Sequence, residues 1–198
     1  LPIQDSDLAF LSKNQILESV AVADCSELNG SWGSYISSLR NVTQLITEYP
    51  LKNVSSLDSL IELQAPFFGP TDFDSLIRFS KLQTLYFSIN DEKTRFEQCL
   101  PTLTNLSNLT LSYSQRLASI HLKPLSNLTY LEVGIPFSDA EWISRLSKLQ
   151  VLRVKGRNVE PMLMYATCLH QLHTLQVRKD EITDFLKTLF PFIQPLRY

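Results

Sequence analysis

The stretch LTNLSNLTL at residues 103–111 decides the fold, because the same arrangement of apolar residues returns downstream. It reads LSNLTYLEV at 125–133, LSKLQVLRV at 146–154 and LHQLHTLQV at 169–177. Each copy places apolar side chains at its first, fourth, seventh and ninth positions. The frame also fits at 79–87 and 57–65, and more loosely at 39–47 and 14–22. A recurring frame of this kind predicts a repeat protein in which each unit packs against its neighbours.

The interval between copies gives the size of the unit. The seventh position recurs every 18 to 25 residues, at Val20, Leu45, Leu63, Leu85, Leu109, Leu131, Leu152 and Leu175. A last copy fits at 190–198 and would place Leu196 and Tyr198 on a strand. We therefore expect a single domain over residues 1–198, with about eight repeats and the strand of a ninth. Because the chain begins at Leu1 and ends on a strand, we also expect it to be a fragment of a longer protein.

These units resemble leucine-rich repeats of the 22-residue class and are similar to the internalin-type repeats of bacteria. The resemblance implies an α/β solenoid that is curved, with parallel strands on the concave face and short helices or 3-10 turns on the convex face. Members of this class usually carry a ladder of Asn or Cys at the twelfth frame position. Here that position holds Cys25, Pro50, Phe68, Asn90, Ser114, Pro136, Arg157 and Asp180. The asparagine ladder is therefore degenerate, and we expect irregular turns, because buried main-chain groups still need partners.

Local signals predict the elements between strands. The capping box SDAE at 138–141 predicts a helix that buries the apolar residues after it. Asp180 precedes apolar residues at helical spacing over 182–189, which predicts another helix. The stretch 64–72 contains two prolines and a glycine and predicts a loop.

Bulk composition excludes some classes of function. The net charge is −2 and the pI is about 5.9, which argues against nucleic acid as a partner. No run approaches 18 consecutive apolar residues, so we expect no membrane span. Three cysteines are too few for a disulfide framework, which favours either a reducing compartment, and so a cytoplasmic location, or a bacterial source. Six Asn-x-Ser/Thr motifs support the alternative of a secreted or cell-surface protein, unless the repeat itself generates them: Asn29, Asn41, Asn53, Asn105, Asn108 and Asn127.

Candidate chemistry is sparse. Cys168, His170 and His173 form a C-x-H-x-x-H cluster that could ligate zinc. However, the two histidines occupy ordinary spacer positions of the frame, and a structural zinc site needs four ligands. The sequence has no G-x-S-x-G motif and no phosphate-binding loop. We therefore predict no metal, no cofactor and no enzymatic activity in this segment.

The outward positions of the strands are the candidate functional residues. Tyrosine and arginine are enriched at interface hot spots, although charged positions often serve only solubility. The predicted partner-binding residues are Tyr86, Tyr113, Tyr130, Glu132, Arg153, Lys155, Gln176 and Arg178. Glu48 and Glu62 lie in early repeats, whereas the basic residues lie in late ones. We therefore expect a protein partner with an acidic segment that docks against the C-terminal half.

Three classes of function remain open on these grounds. The first is a protein–protein interaction module that binds through its concave face, as an intracellular adaptor or bacterial effector domain. The second is the ectodomain of a secreted or cell-surface receptor or adhesin. The third is the substrate-recognition domain of a larger enzyme, such as a ubiquitin ligase. In each case the exposed C-terminal strand could support self-association, because free strand edges pair readily.

Overall fold

The computed structural model shows one parallel sheet whose strands follow the order of the chain. It describes residues 4–25, 28, 32–51, 54, 57–68, 72–89, 99, 102–113, 125–134 and 140–196. Within these ranges there are nine strands: β1 (Ser19–Val22), β2 (Gln44–Thr47), β3 (Glu62–Phe68), β4 (Thr84–Ile89), β5 (Asn108–Tyr113), β6 (Tyr130–Val133), β7 (Val151–Val154), β8 (Thr174–Val177) and β9 (Ile193–Pro195). Each strand pairs in parallel with the next, which confirms the predicted solenoid.

The leucine frame is also the register of the sheet. Leu131 pairs with Leu109 on one side and with Leu152 on the other, and the other seventh-position residues pair in the same way. All three of these leucines are 0% exposed. Side chains alternate between the two faces of a strand, so the burial of the seventh and ninth positions turns the sixth and eighth outward. The sequence frame therefore determines which residues line the concave face.

The ninth strand lies three residues earlier than predicted. Leu175 pairs with Ile193, so Ile193 rather than Leu196 continues the seventh-position column. Leu196 follows the strand, and its N–H donates to the carbonyl of Val177 at 2.8 Å. Tyr198 lies outside the described residues. The last interval is therefore 18 residues, as short as the interval between β2 and β3.

Short helices return the chain between strands. Four α-helices lie in the described residues: α1 (Trp32–Ile36), α2 (Asp72–Leu76), α3 (Glu160–Met164) and α4 (Asp184–Leu189). Segments of 3-10 helix occur at Asp5–Lys13, Glu141–Arg145, Tyr165–Cys168 and Lys179–Glu181. Helical segments this short fit connections between strands that lie next to each other in the sheet.

The last helix begins later than the sequence predicted. Asp180 lies in the 3-10 segment, whereas α4 starts at Asp184. Thr183 is its N-cap, and its hydroxyl oxygen accepts a hydrogen bond from the N–H of Leu186 at 3.2 Å. The side chain of Asp180 binds Arg178 instead of capping a helix. The acidic residue that the sequence indicated therefore lies three positions before the residue that caps the helix.

Two further local predictions are met only in part. The capping box predicted a helix, and the described residues show a 3-10 helix at Glu141–Arg145, whose N-cap Ala140 makes no side-chain capping bond; Ser138 lies outside them. Strand β3 extends to Phe68, so the loop predicted over 64–72 is wrong for its first half. The register of β3 against β4 shifts between Ala65 and Phe68, which places Pro66 at an irregularity where its missing N–H is tolerated.

Three of the Asn-x-Ser/Thr motifs join adjacent repeats. At the third frame position, Nδ2 of Asn41, Asn105 and Asn127 donates to a carbonyl of the preceding repeat, at 2.6, 2.8 and 2.9 Å. At the fifth position, the hydroxyls of Thr43, Ser107 and Thr129 donate to preceding carbonyls, each at 3.2 Å. Each motif therefore supplies two hydrogen bonds between repeats, which supports its origin in the repeat template.

The side chains at the degenerate ladder position lie in different environments. Among the described residues of the twelfth position, Pro50 and Arg157 are exposed. Cys25 is buried, and its thiol donates to the carbonyl of Ala23 in its own turn. Thr47, three positions earlier in the second repeat, is buried, and its hydroxyl accepts from the N–H of Tyr49 at 2.9 Å within the same turn.

We expect the seventh-position column to carry much of the stability. Replacing Leu175, which is 0% exposed, with Ala should lower the free energy of unfolding by about 2–5 kcal/mol through lost burial and a new cavity. Replacing its outward neighbour Gln176 with Ala should change it by no more than about 0.5 kcal/mol. Denaturant titration of both variants measures the difference. Equal midpoints for the two would show that the frame is not the core.

Candidate concave binding face

The structure brings seven of the eight predicted site residues onto one face of the sheet, and Tyr113 is the exception. Tyr86 is on β4, Tyr130 and Glu132 are on β6, and Arg153 and Gln176 occupy the matching outward position on β7 and β8. Lys155 and Arg178 directly follow β7 and β8. Tyr113 ends β5, and its side chain lies outside the described part of the structure.

Four of these residues form a connected group, which we call the Glu132 cluster: Tyr130, Glu132, Arg153 and Lys155. The Tyr130 hydroxyl donates to Oε2 of Glu132 at 2.8 Å, and Nη1 of Arg153 donates to the Tyr130 oxygen at 3.1 Å. Lys155 Nζ lies 2.5 Å from the other carboxylate oxygen of Glu132. The parallel register explains the contact, because Glu132 lies directly opposite Arg153.

Glu132 itself differs from the sequence expectation. An outward position predicts a solvated side chain, but Glu132 is only 8% exposed. The side chains of Arg153 and Lys155 remain 39% and 45% exposed, so they cover the carboxylate and face solvent themselves. The sequence did contain a signal for this burial, because Glu132 has a basic residue, Arg153, at the equivalent position of the next repeat. Arg153 and Lys155 therefore present the accessible surface of the cluster, with Glu132 beneath them.

The cluster favours the ionised form of Glu132. Burial alone would raise the pKa of this carboxyl, but hydrogen bonds from Lys155 and Tyr130, together with the nearby positive charges, hold it below its usual value. The ionised carboxylate therefore contributes stability above the ordinary carboxyl pKa, and this contribution is lost as pH falls through the lowered pKa. The cluster is thus intact at neutral pH.

Tyr130 is shifted in the opposite direction. Burial and its hydrogen bond to Glu132 raise the pKa of Tyr130 from 10.0 to about 12. The guanidinium of Arg153 also lies 5.5 Å from the centroid of the Tyr130 ring, within the range of a cation–π contact. The ring is therefore held in place from its hydroxyl and from one face.

A second group of charges lies one repeat further along. Arg178 donates to both carboxylate oxygens of Asp180, from Nε and Nη2, each at 3.0 Å. Arg157 approaches the same carboxylate at 3.9 Å. The bond from Arg178 lowers the pKa of Asp180. Two guanidinium groups therefore share one carboxylate.

The early repeats carry the opposite charge. Glu48 directly follows β2 and is exposed, and Glu62 starts β3 and is partly exposed. Oε2 of Glu48 accepts a hydrogen bond from the N–H of Asp24 at 3.3 Å. No salt bridge to Glu48, Glu62 or Asp24 occurs among the described residues. The two ends of the face thus differ in sign, as the sequence indicated.

The histidine and cysteine positions give no assembled site. His170, His173 and Cys168 are exposed, and His173 Nδ1 lies 3.1 Å from the Thr174 hydroxyl. Within the ranges that the structure covers, no three His, Cys, Asp or Glu side chains are grouped to hold a metal ion. No helix in the same ranges is long and apolar enough to cross a membrane.

Comparison with known proteins identifies the fold. No family model and no curated protein matches the sequence. The structure matches an internalin (InlF) of Listeria monocytogenes with a TM-score of 0.59 and 20% identity, over 98% of this chain and 63% of that one. It also matches internalin C2 of the same species (TM-score 0.51, 16% identity, 97% and 92% covered). A third match is a leucine-rich repeat protein of Leptospira interrogans (0.54, 14%, 94% and 58%). The chain therefore has the leucine-rich repeat fold, and it spans 63% of the length of InlF.

We predict that Glu132 stabilises the fold. Glu132→Ala should lower the free energy of unfolding by about 1–2 kcal/mol, because it leaves the Tyr130 hydroxyl without its acceptor and two cations without their counter-ion. Glu141→Ala removes the exposed partner of Arg145 and should cost no more than about 0.5 kcal/mol. Denaturant titration compares them, and equal losses would contradict a buried role for Glu132.

We predict that Tyr130 ionises late. The folded pKa of about 12 exceeds the usual 10.0, so the neutral phenol stabilises the fold below pH 10.0 and this contribution is lost as pH rises through 12. The ultraviolet absorbance of phenolate, read directly after a pH jump, reports ionisation. The difference between wild type and Tyr130→Phe should have its midpoint near the raised pKa. A midpoint at the ordinary tyrosine value would contradict the hydrogen bond to Glu132.

Proposed function

We propose that this solenoid is a protein–protein interaction module that binds a partner through its concave face, as an intracellular adaptor or bacterial effector domain. The observation that carries the proposal is the Glu132 cluster, in which Tyr130, Arg153 and Lys155 are held in fixed positions on a regular sheet. Leucine-rich repeat folds are generally protein-interaction modules, and repeat solenoids bind partners on such extended concave surfaces.

Pre-organisation is what makes these residues suitable for binding. Long side chains such as arginine and lysine normally lose rotamer freedom when they bind, which weakens association. Here Arg153 contacts both the ring and the hydroxyl of Tyr130, and Lys155 is paired with Glu132. Much of that ordering has therefore already occurred in the free protein.

The charge of the cluster favours an acidic segment in the partner. One carboxylate serves both Arg153 and Lys155, and Asp180 similarly serves Arg157 and Arg178. In each group two cations thus face one carboxylate. Exposed cations of this kind attract an acidic partner and speed its association.

The cysteines and asparagines support an intracellular location. The three cysteines, all of which lie in the described residues, form no disulfide there, and Cys168 is exposed, which suits a reducing compartment. Asn41, Asn105 and Asn127 use Nδ2, the atom that would carry a glycan, for hydrogen bonds between repeats. Both features favour the adaptor or effector over a glycosylated ectodomain.

The free edge of β9 supports a further association. β9 pairs with β8, and no other strand pairs with it among the described residues. Unpaired edges of parallel strands can accept another strand. We therefore include self-association through this edge in the proposal.

Peptide display on the immobilised protein tests the concave face. Tyr86→Ala should weaken selected ligands by more than about 1 kcal/mol, since aromatic residues dominate hot spots. Tyr165→Ala is the matched control, because Tyr165 follows α3 on the convex side and is 40% exposed. Binding constants of both variants are measured by calorimetry. Loss of binding in Tyr165→Ala with none in Tyr86→Ala would show that the concave face is not the site.

A further inference from the structure

One outward position of the frame is acidic in an early repeat and basic in the last two repeats. The tenth frame position holds Glu48 in the second repeat, Lys155 in the seventh and Arg178 in the eighth. The four repeats between carry small uncharged residues there: Pro66, Ser88, Ser112 and Gly134. A strip of neutral positions therefore separates an acidic end from a basic end.

The acidic end is available for binding. Glu48 is exposed, Glu62 is partly exposed on the adjacent strand, and exposed Asp24 directs its main-chain N–H to Glu48. The described residues give none of these three carboxylates a salt bridge. At the other end, Lys155 and Arg178 keep 45% and 32% of their side chains exposed. Both ends thus present accessible charge.

The register of the sheet sets the distance between the ends. Five strand intervals separate β2 from β7. Neighbouring strands lie about 4.8 Å apart, so Glu48 and Lys155 are separated by about 24 Å across the sheet. An extended peptide covers about 3.3 Å per residue, so about seven residues span this distance.

We propose that the partner segment is an extended peptide with basic residues at one end and acidic residues at the other, about seven residues apart. Its basic end contacts Glu48 and Glu62, and its acidic end contacts Lys155 and Arg178. The inference rests on the proposed function, since it names the chemistry of the partner on the same concave face.

The two ends together give specificity that neither gives alone. A wholly acidic segment places carboxylates beside Glu48 and Glu62, and a wholly basic one places cations beside Lys155 and Arg178. Such like-charge contacts reject the wrong partner. Linking two weak contacts at the right spacing also raises affinity, because the second contact becomes intramolecular.

Fluorescence anisotropy with synthetic peptides tests the proposal. The peptides carry two lysines and two glutamates separated by three, seven or eleven residues of glycine, serine and one leucine. A fourth peptide has glutamates at both ends and the seven-residue spacer. On the wild-type protein we expect the bipolar peptide of spacing seven to bind about fivefold tighter than the other three, with the advantage lost at high salt.

Variants at the acidic end make the test decisive. Glu48→Lys should invert the preference, so that the peptide with glutamates at both ends binds tighter than the bipolar peptide. Glu141→Lys makes the same charge change on the convex side and should leave the preference unchanged. Equal binding of the two peptides to wild type, no detectable binding of any peptide, or the same preference in Glu48→Lys would overturn the proposal.

The outcome also separates this inference from the proposed function. If Tyr86→Ala still weakens display-selected ligands while the bipolar preference is absent, the concave face binds a partner of another chemistry. If Glu141→Lys abolishes peptide binding and Tyr86→Ala has no effect, the concave face is not the site at all. Ultracentrifugation showing that Glu48→Lys dissociates a dimer would identify the occupant as a second copy and overturn the peptide proposal.

Discussion

The stacking of buried leucines at the seventh frame position is the constraint on which the rest of the structure depends. Leu109, Leu131 and Leu152 are each 0% exposed and lie side by side in the register of β5, β6 and β7. In a parallel sheet a shift of one residue would turn this column to solvent, so burial fixes the pairing. Once the pairing is fixed, every outward residue has a defined neighbour on the next strand. The contact between Glu132 and Arg153 is a direct consequence of that register.

Sequence periodicity was sufficient to predict the buried positions of the strands. It was insufficient to predict the environment of the outward side chains. The frame predicted the parallel strands and their buried positions, because these depend only on apolar residues at fixed spacing. It did not predict that Glu132 is buried, since that burial is produced by Arg153 and Lys155 of the next repeat. The ends of elements were also missed. Ile193 lies in the last strand, whereas Leu196 follows it. Both residues are apolar, so the frame alone did not distinguish them, and the length of the connection before the strand decides which one pairs.

The Asn-x-Ser/Thr motifs show how a repeat can replace a missing ladder. The twelfth position, which follows each strand, is degenerate. The third and fifth positions precede each strand, and there the side chains of asparagine and of Ser or Thr donate to carbonyls of the preceding repeat. The three asparagine bonds are exposed to solvent, so each contributes at the low end of the usual range, about 0.5 kcal/mol. Asn127 extends the connection to a third repeat, because its Oδ1 accepts from Lys148 at 2.7 Å. A motif that suggests glycosylation in isolation is thus explained by stacking.

A buried carboxylate on a binding face is costly unless something offsets its desolvation, and here the offset shapes the surface. Glu132 is stabilised by Tyr130 and by two cations, so its charge remains at neutral pH. The same contacts fix the positions of the Arg153 and Lys155 side chains, and a part of each remains exposed to solvent. One carboxylate cannot neutralise two cations, so the interaction that stabilises the sheet also leaves ordered positive charge at one end of it. Glu48, on β2's side of the neutral strip, has no such cation among the described residues. The concave face is therefore basic where Arg153 and Lys155 share the single carboxylate of Glu132. It is acidic at Glu48, beside which the described residues place no cation.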